Sequence, residues 1–173
     1  PDFFRLDEND VQFVSPQEMS AIGLEFHPGN ANVCLLGQYN NHTHHLNRQR
    51  VQAIDYGLDF YAPQTLLTSD GRRVMIAWMQ NWETSSCVQK EMRFFGQMTL
   101  PRELSVRKGR LCQVPVREIE QYRGIKIDYQ NVLINGETSL RGIQGRCMDM
   151  TVTVRPGNDH NMYKWFRLYV ARD

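Results

Sequence analysis

Asp55 and Asp59 are the residues whose type and spacing first invite a chemical reading, because acid, base and nucleophile work on an acetal bond calls for two carboxylates. Four positions apart on an extended backbone, they lie about 13 Å from one another at roughly 3.3 Å per residue. A retaining pair needs about 5–5.5 Å and an inverting pair about 6.5–9.5 Å, so only a bend at Gly57 would bring these two into working range. The plainer reading is that both accept hydrogen bonds from neighbouring donors in a turn. Trp78 and Trp82, also four apart, fall on one face if the strand continues through Asn81. Aromatic rings of this kind either fill a core or stack on the apolar face of a ring-shaped ligand, with the indole N–H free to bond a hydroxyl. Tyr61 has the same two readings.

Other reactive types are weaker candidates. His42, His44 and His45 cluster within four residues, but their spacing fits no common structural metal site and no cysteine stands near, so a solvated loop is the expectation. Cys87, between Ser86 and Lys90, has a polar setting but no neighbouring base, which makes it an inert thiol. Gly-rich phosphate loops, Gly-x-Ser-x-Gly elbows and His-Glu-x-x-His patterns are all missing from the sequence.

The elements that must position these residues are strands. Val11–Val14, Val33–Gly37, Gln64–Thr68, Val74–Met79, Arg110–Gln113, Met148–Val154 and Phe166–Val170 carry strand signals. His27-Pro-Gly-Asn30, Ser69-Asp-Gly71, Lys108-Gly109 and Arg155-Pro-Gly-Asn158 punctuate them as turns. Asp70-Gly71 predicts a hairpin, since glycine accepts the positive φ that a tight turn needs. Val74–Met79 is apolar at nearly every position and so predicts a strand covered on both faces. Cys147–Val154 alternates and predicts one solvated face. A helix is expected over Pro115–Arg123, where proline suits the first turn and Val116, Ile119 and Tyr122 recur every third residue.

The 173 residues include 20 basic and 19 acidic side chains, a formal charge of +1, which gives no reason to expect a nucleic acid, an acidic polymer or an anionic membrane as partner. Apolar runs are far too short to span a bilayer as a helix. Cys34, Cys87, Cys112 and Cys147 show no Cys-x-x-Cys spacing, so they read as reduced, mostly buried thiols, and the expected location is cytoplasmic. The chain opens on Pro1 and stops just after a predicted strand, so it reads as a piece of a longer polypeptide whose targeting is not legible.

Taken in order, Pro1-Asp-Phe-Phe, Ser15-Pro-Gln17, Leu36-Gly-Gln-Tyr39, Asp55-Tyr-Gly-Leu-Asp-Phe-Tyr-Ala-Pro-Gln-Thr65, Asp70-Gly-Arg-Arg73, Ile76-Ala-Trp-Met79, Met98-Thr-Leu-Pro-Arg-Glu-Leu104 and Gln113-Val-Pro-Val116 resemble glycoside hydrolase family 32. The likeness extends to that family's bacterial sucrose-6-phosphate hydrolases and invertases. Ala77 departs from the glycine that many relatives carry. Beyond Arg123 the likeness thins to Leu140-Arg-Gly-Ile-Gln-Gly145, similar to the opening of the family's C-terminal β-sandwich.

The resemblance implies an all-β fold: the last blades of a five-bladed β-propeller over residues 1–114, a helical linker over 115–123, and the first strands of a β-sandwich over 124–173. It implies hydrolysis of a terminal β-fructofuranoside (sucrose, sucrose 6-phosphate or a short fructan) with retention and with neither metal nor organic cofactor. The family's aspartate nucleophile, Arg-Asp-Pro motif and Glu-Cys acid/base do not occur in these residues; their places would lie upstream of Pro1, so no catalytic residue is assigned. Tyr61 and Trp82 are implied as substrate-binding aromatics beside the fructosyl pocket, Asp59 as support for Tyr61, and Asp2 as a neighbour of the pocket outside the reaction. The polypeptide alone is expected to be inactive and to self-associate through exposed strand edges. The competing expectation is a non-catalytic sugar-binding or interaction module that keeps the aromatic wall.

Overall fold

The computed structural model describes residues 1–86, 91, 93, 95–157 and 164–170; Cys87 and Lys90, singled out above, lie outside them. By its internal contacts the chain divides into two units, Pro1–Ile119 and Glu120–Asp173. In the first, strands β1 (Asp2–Leu6), β2 (Asn9–Val14), β3 (Val33–Asn40) and β4 (His45–Ala53) form one sheet. Strands β5 (Tyr61–Leu67), β6 (Arg73–Trp78), β7 (Arg102–Arg107) and β8 (Arg110–Pro115) form a second. Each sheet is antiparallel and runs in chain order, which is the form of a propeller blade.

Local chemistry sets these ladders. Asp7 (φ 45°) and Glu8 (φ 64°) link Leu6 to its partner Asn9, and Lys108 (φ 50°) and Gly109 (φ 67°) link Arg107 to Arg110. Positive φ at both central residues gives a turn whose twist matches that of the strands. The Asp70-Gly71 hairpin forms as expected, with the Thr68 N–H donating to Arg72 O and the Gly71 N–H to Thr68 O. Between β3 and β4 the register shifts at Leu36/Gly37, where a Cβ on Gly37 would stand 2.1 Å from Asn47 O. That approach admits only glycine.

One core joins the sheets. Phe4, Val11, Phe13, Cys34 and Leu36 of the first face Ile54, Phe60, Met75, Ala77, Leu104 and Leu111. Phe4 and Phe13 meet edge to face, centroids 5.1 Å apart, and the Arg73 guanidinium lies 4.7 Å over the Phe4 ring. Polar stitches run between the same sheets. Asp2 Oδ2 accepts from the Thr65 N–H (2.7 Å) and hydroxyl (2.6 Å), and the Gln52 side chain exchanges bonds with the Leu111 backbone at 3.0 and 3.2 Å. Burial without a counter-charge pushes the Cys34 thiol up to about 12.

A charged cluster ties the end of this unit to the β5–β6 turn. Glu103 receives two bonds from the Arg117 side chain (3.0 and 2.8 Å) and one from Arg72 (2.8 Å), while Arg72 also reaches Asp70 and Glu118. The Arg117 bonds, helped by Arg72, hold the Glu103 carboxyl down at about 2. The expected helix is shorter and tighter than predicted, a 3-10 helix over Arg117–Tyr122. The reason lies in its own spacing, because an apolar residue every third position matches three residues per turn better than 3.6.

Among the described residues of the second unit no paired strand forms. Met148–Val154 and Phe166–Val170, predicted as strands and implied as the opening of a sandwich, find no ladder partner, and Met148, Met150, Val152 and Val154 are all exposed. Alternation prepares a face, but a strand exists only when its N–H and C=O groups meet a neighbour. Side-chain ties within this unit include Arg123 to Asp149 (2.7 Å) and the Tyr129 hydroxyl to Arg141 O (2.6 Å).

Candidate functional site

Two buried asparagines fix the loop that precedes β5. Asn32 Oδ1 accepts from the N–H of Ile54 (3.0 Å) and Asp55 (2.8 Å), while its amide donates to Phe60 O (3.1 Å). From the other side, the Asn81 amide donates to Leu58 O (2.9 Å), and its Oδ1 caps the N–H groups of Glu83 (2.8 Å) and Thr84 (3.1 Å). The loop carries its own aspartates in structural bonds. Asp55 accepts from the Gly57 N–H (2.7 Å) and from Arg102 (2.6 Å), and Asp59 accepts from the Thr84 hydroxyl (2.8 Å) and the Asn81 amide (3.3 Å). The chain bends at Leu58 and Asp59, not at Gly57, whose N–H instead donates to the Asp55 carboxylate.

Arg102 also donates to Gln113 (2.9 Å) and lies over the Phe60 ring at 5.1 Å. Together with Asp55, Asp59, Leu58, Met79 and Thr99 it lines an open depression of about 400 Å³. This pairing of a satisfied guanidinium and carboxylates with apolar neighbours offers both donors and acceptors to a neutral polar ligand, with no surplus of positive charge for an anion.

Tyr61 opens β5 opposite Trp78, and the register slips between Tyr61 and Gln64. Ala62 there takes φ 48°, a left-handed conformation that a residue with a Cβ adopts at a cost of about 1–2 kcal/mol. Pro63 follows and, having no N–H, fits this edge strand. The bulge re-aims Tyr61, whose ring is buried and whose hydroxyl donates to Ser15 O (3.1 Å). Trp82 lies just past the end of β6, 59% exposed, its ring edge-on to that of Trp78 with centroids 5.4 Å apart. So Trp78 connects Tyr61, its strand partner, to Trp82, its ring partner. Gly96 passes close by, where an added Cβ would meet Gln80 Oε1 at 3.1 Å and Trp78 Nε1 at 3.4 Å.

The remaining candidates lie elsewhere. His42 and His44 sit in the β3–β4 turn with His45 at the start of β4, all exposed, and His44 Nδ1 is 3.1 Å from the Tyr39 hydroxyl. Asp2 binds Thr65 as described. Asn32 and Asn81 are the positioning residues that spacing did not reveal; their only signals were a position just past the His27–Asn30 turn and one just past the end of β6.

Comparison with known proteins gives this geometry a context. The profile of the "Glycosyl hydrolases family 32 N-terminal domain" matches residues 1–115. A raffinose invertase of Escherichia coli is 41% identical over 123 residues, covering 71% of this chain and 26% of that protein. A sucrose-6-phosphate hydrolase of the same organism is 38% identical with the same coverage. Among solved structures, the Bombyx mori family 32 β-fructofuranosidase BmSUC1 superposes with a TM-score of 0.64 at 29% identity, covering 74% of this chain and 27% of that one, and a mutant of it is known in complex with sucrose. The chain thus spans about a quarter of the length of the relatives it matches. Two propeller-blade sheets in sequence, a family profile running the length of both, and relatives aligned across the same residues place this chain in glycoside hydrolase family 32.

Proposed function

We propose that this chain supplies part of the sugar-facing wall of a retaining β-fructofuranosidase that hydrolyses sucrose, sucrose 6-phosphate or short fructans. The observation that carries the reading is the exposed Trp82 ring, held edge-on by Trp78 beside the bulge at Tyr61, within a segment aligned to a raffinose invertase and a sucrose-6-phosphate hydrolase. An indole offered in this way stacks on sugar C–H groups. Tyr61 shapes the wall from behind, and Asp55, Asp59 and Arg102 hold its loop. The reaction belongs to carboxylates not among these 173 residues, which contain neither Arg-Asp-Pro nor Glu-Cys, and it needs no metal or organic cofactor. A cytoplasmic setting is part of this proposal, on the spread of four cysteines without Cys-x-x-Cys spacing.

The test is a graft. Residues 1–115 replace the matched segment of the E. coli raffinose invertase, and fructose release from sucrose is measured for the graft and for the isolated 173-residue chain. The graft is expected to hydrolyse sucrose and the isolated chain to release nothing above buffer. A folded but inert graft, or release by the isolated chain, contradicts the proposal. A second reading, a non-catalytic sugar-binding module, is favoured by the exposure of the Trp82 ring. Saturable quenching of tryptophan fluorescence by fructose or sucrose in the isolated chain would select it.

A further inference from the structure

Between β2 and β3 the chain makes an excursion, residues 15–32, held together by its own backbone. Met19 and Gly29 exchange N–H···O bonds at 3.0 and 2.9 Å, Ile22 and Phe26 pair nearer the tip, and the Ala31 N–H donates to Pro16 O (3.1 Å). The Glu25 carboxylate accepts from the Ala53 N–H (3.2 Å) and so ties this arm to the end of β4. Both aromatic residues of the candidate wall lead back to the arm. At one end Ser15 O accepts from the Tyr61 hydroxyl. At the other, the amide of Asn30, a residue only 8% exposed, donates to Glu83 Oε1 (3.2 Å), and Glu83 directly follows Trp82. A Cβ on Gly29 would collide with that same oxygen, so the carboxylate reaches Asn30 only because glycine lets it lie against the backbone. The loop that carries Glu83 is itself ordered, with the Glu83 N–H on Asn81 Oδ1 (2.8 Å) and the Ser85 hydroxyl on Trp82 O (2.8 Å).

We propose that Glu83 is a positioning residue: by bridging to Asn30 across Gly29 it docks the Trp82 loop on the β2–β3 arm, so that one arm sets the aim of both Tyr61 and Trp82. Trp78 supports the Trp82 ring from the side, while Glu83 fixes the backbone from which that ring projects. Stacking on a sugar depends on the orientation of the ring plane, and a ring held in place beforehand loses less freedom when the ligand arrives. The bond joins residues 53 positions apart, so it fixes the loop in a way that no turn within the loop could. The consequence for sugar binding rests on the fructosidase reading above; the docking of the loop does not.

The experiment reads the two consequences separately. Indoles with centroids 5.4 Å apart couple their electronic transitions, so the far-ultraviolet circular dichroism of the 173-residue chain carries a couplet that reports the mutual geometry of Trp78 and Trp82. Glu83→Ala and Asn30→Ala are expected to collapse this couplet, whereas Glu83→Gln, whose amide oxygen still accepts from Asn30, keeps it. In the raffinose invertase graft, Glu83→Ala is expected to raise KM for sucrose about three- to tenfold with kcat nearly unchanged, the effect of one hydrogen bond on the readiness of the wall, and Glu83→Gln to stay near the parent. An unchanged couplet in Glu83→Ala overturns the proposal. So does a raised KM in Glu83→Gln with its couplet intact, since the carboxylate would then act by touching the substrate itself. A collapsed couplet with unaltered kinetics upholds the docking of the loop and removes the fructosidase reading of this wall. If the buried Asn30→Ala variant does not fold, the exposed Glu83→Ala decides alone.

Discussion

Asn32 illustrates how much of this site hangs on single polar side chains. It serves two backbone donors and one acceptor of the Ile54–Phe60 loop, and an alanine there would leave buried amides without partners. Asn32→Ala is expected to destabilise the first unit by about 2–4 kcal/mol, measurable by urea denaturation. Tyr61→Phe removes only the bond to Ser15 O and should cost about 1 kcal/mol. Cys34, fully enclosed and with its thiol pushed up to about 12, should resist thiol reagents in the native chain and react only on unfolding, while the exposed Cys147 reacts at once; peptide mapping after brief labelling distinguishes them. At this scale the sequence disclosed the aromatic residues, because ring type and spacing are visible in a string. It did not disclose Asn32 or Asn81, because an asparagine that accepts bonds from a distant loop looks the same as one in any turn. The carboxylate pair Asp55 and Asp59 also settled as the plainer reading had it, in turn and loop bonds.

At the scale of elements, legibility followed burial. Strands β2, β3, β5, β6 and β8 showed as apolar or alternating runs, though β5 begins earlier than its pattern, at Tyr61, because the bulge at Ala62 interrupts the period. Strands β1, β4 and β7 did not show. The outer strand β4, His45–Ala53, is mostly exposed, with β3 as its ladder partner and the Gln52 side chain bonded to the Leu111 backbone, so an edge of this kind shows no apolar run. Conversely, Met148–Val154 had the alternation but no partner. Two predictions belong here. Gly37→Ala drives a Cβ into Asn47 O at the bulge and should destabilise by about 1–3 kcal/mol, read as a lower urea midpoint. Glu103 is depressed from 4.5 to about 2 in the folded state, so its contribution is complete above about pH 4.5 and is lost as pH falls toward about 2. Thermal melts across that window should show stability falling with acid, with a shallower fall in Glu103→Gln.

For the molecule as a whole, the family was legible because many short motifs occur in order along the first unit, and their order is a stronger constraint than any one of them. The expectation that β6 is covered on both sides was only half met, with Met75 and Ala77 enclosed and Val74 and Ile76 partly open. Function at this scale depends on whether the Trp82 ring meets sugar. Trp82 is largely exposed and packs on Trp78, so removing it should harm catalysis far more than folding. The most direct measurement is kcat/KM for sucrose of the raffinose invertase graft carrying residues 1–115, with and without Trp82→Ala, alongside the thermal midpoint of each. The expected result is a fall of about tenfold or more in kcat/KM with the midpoint nearly unchanged. An unaltered kcat/KM in the substituted graft would contradict it.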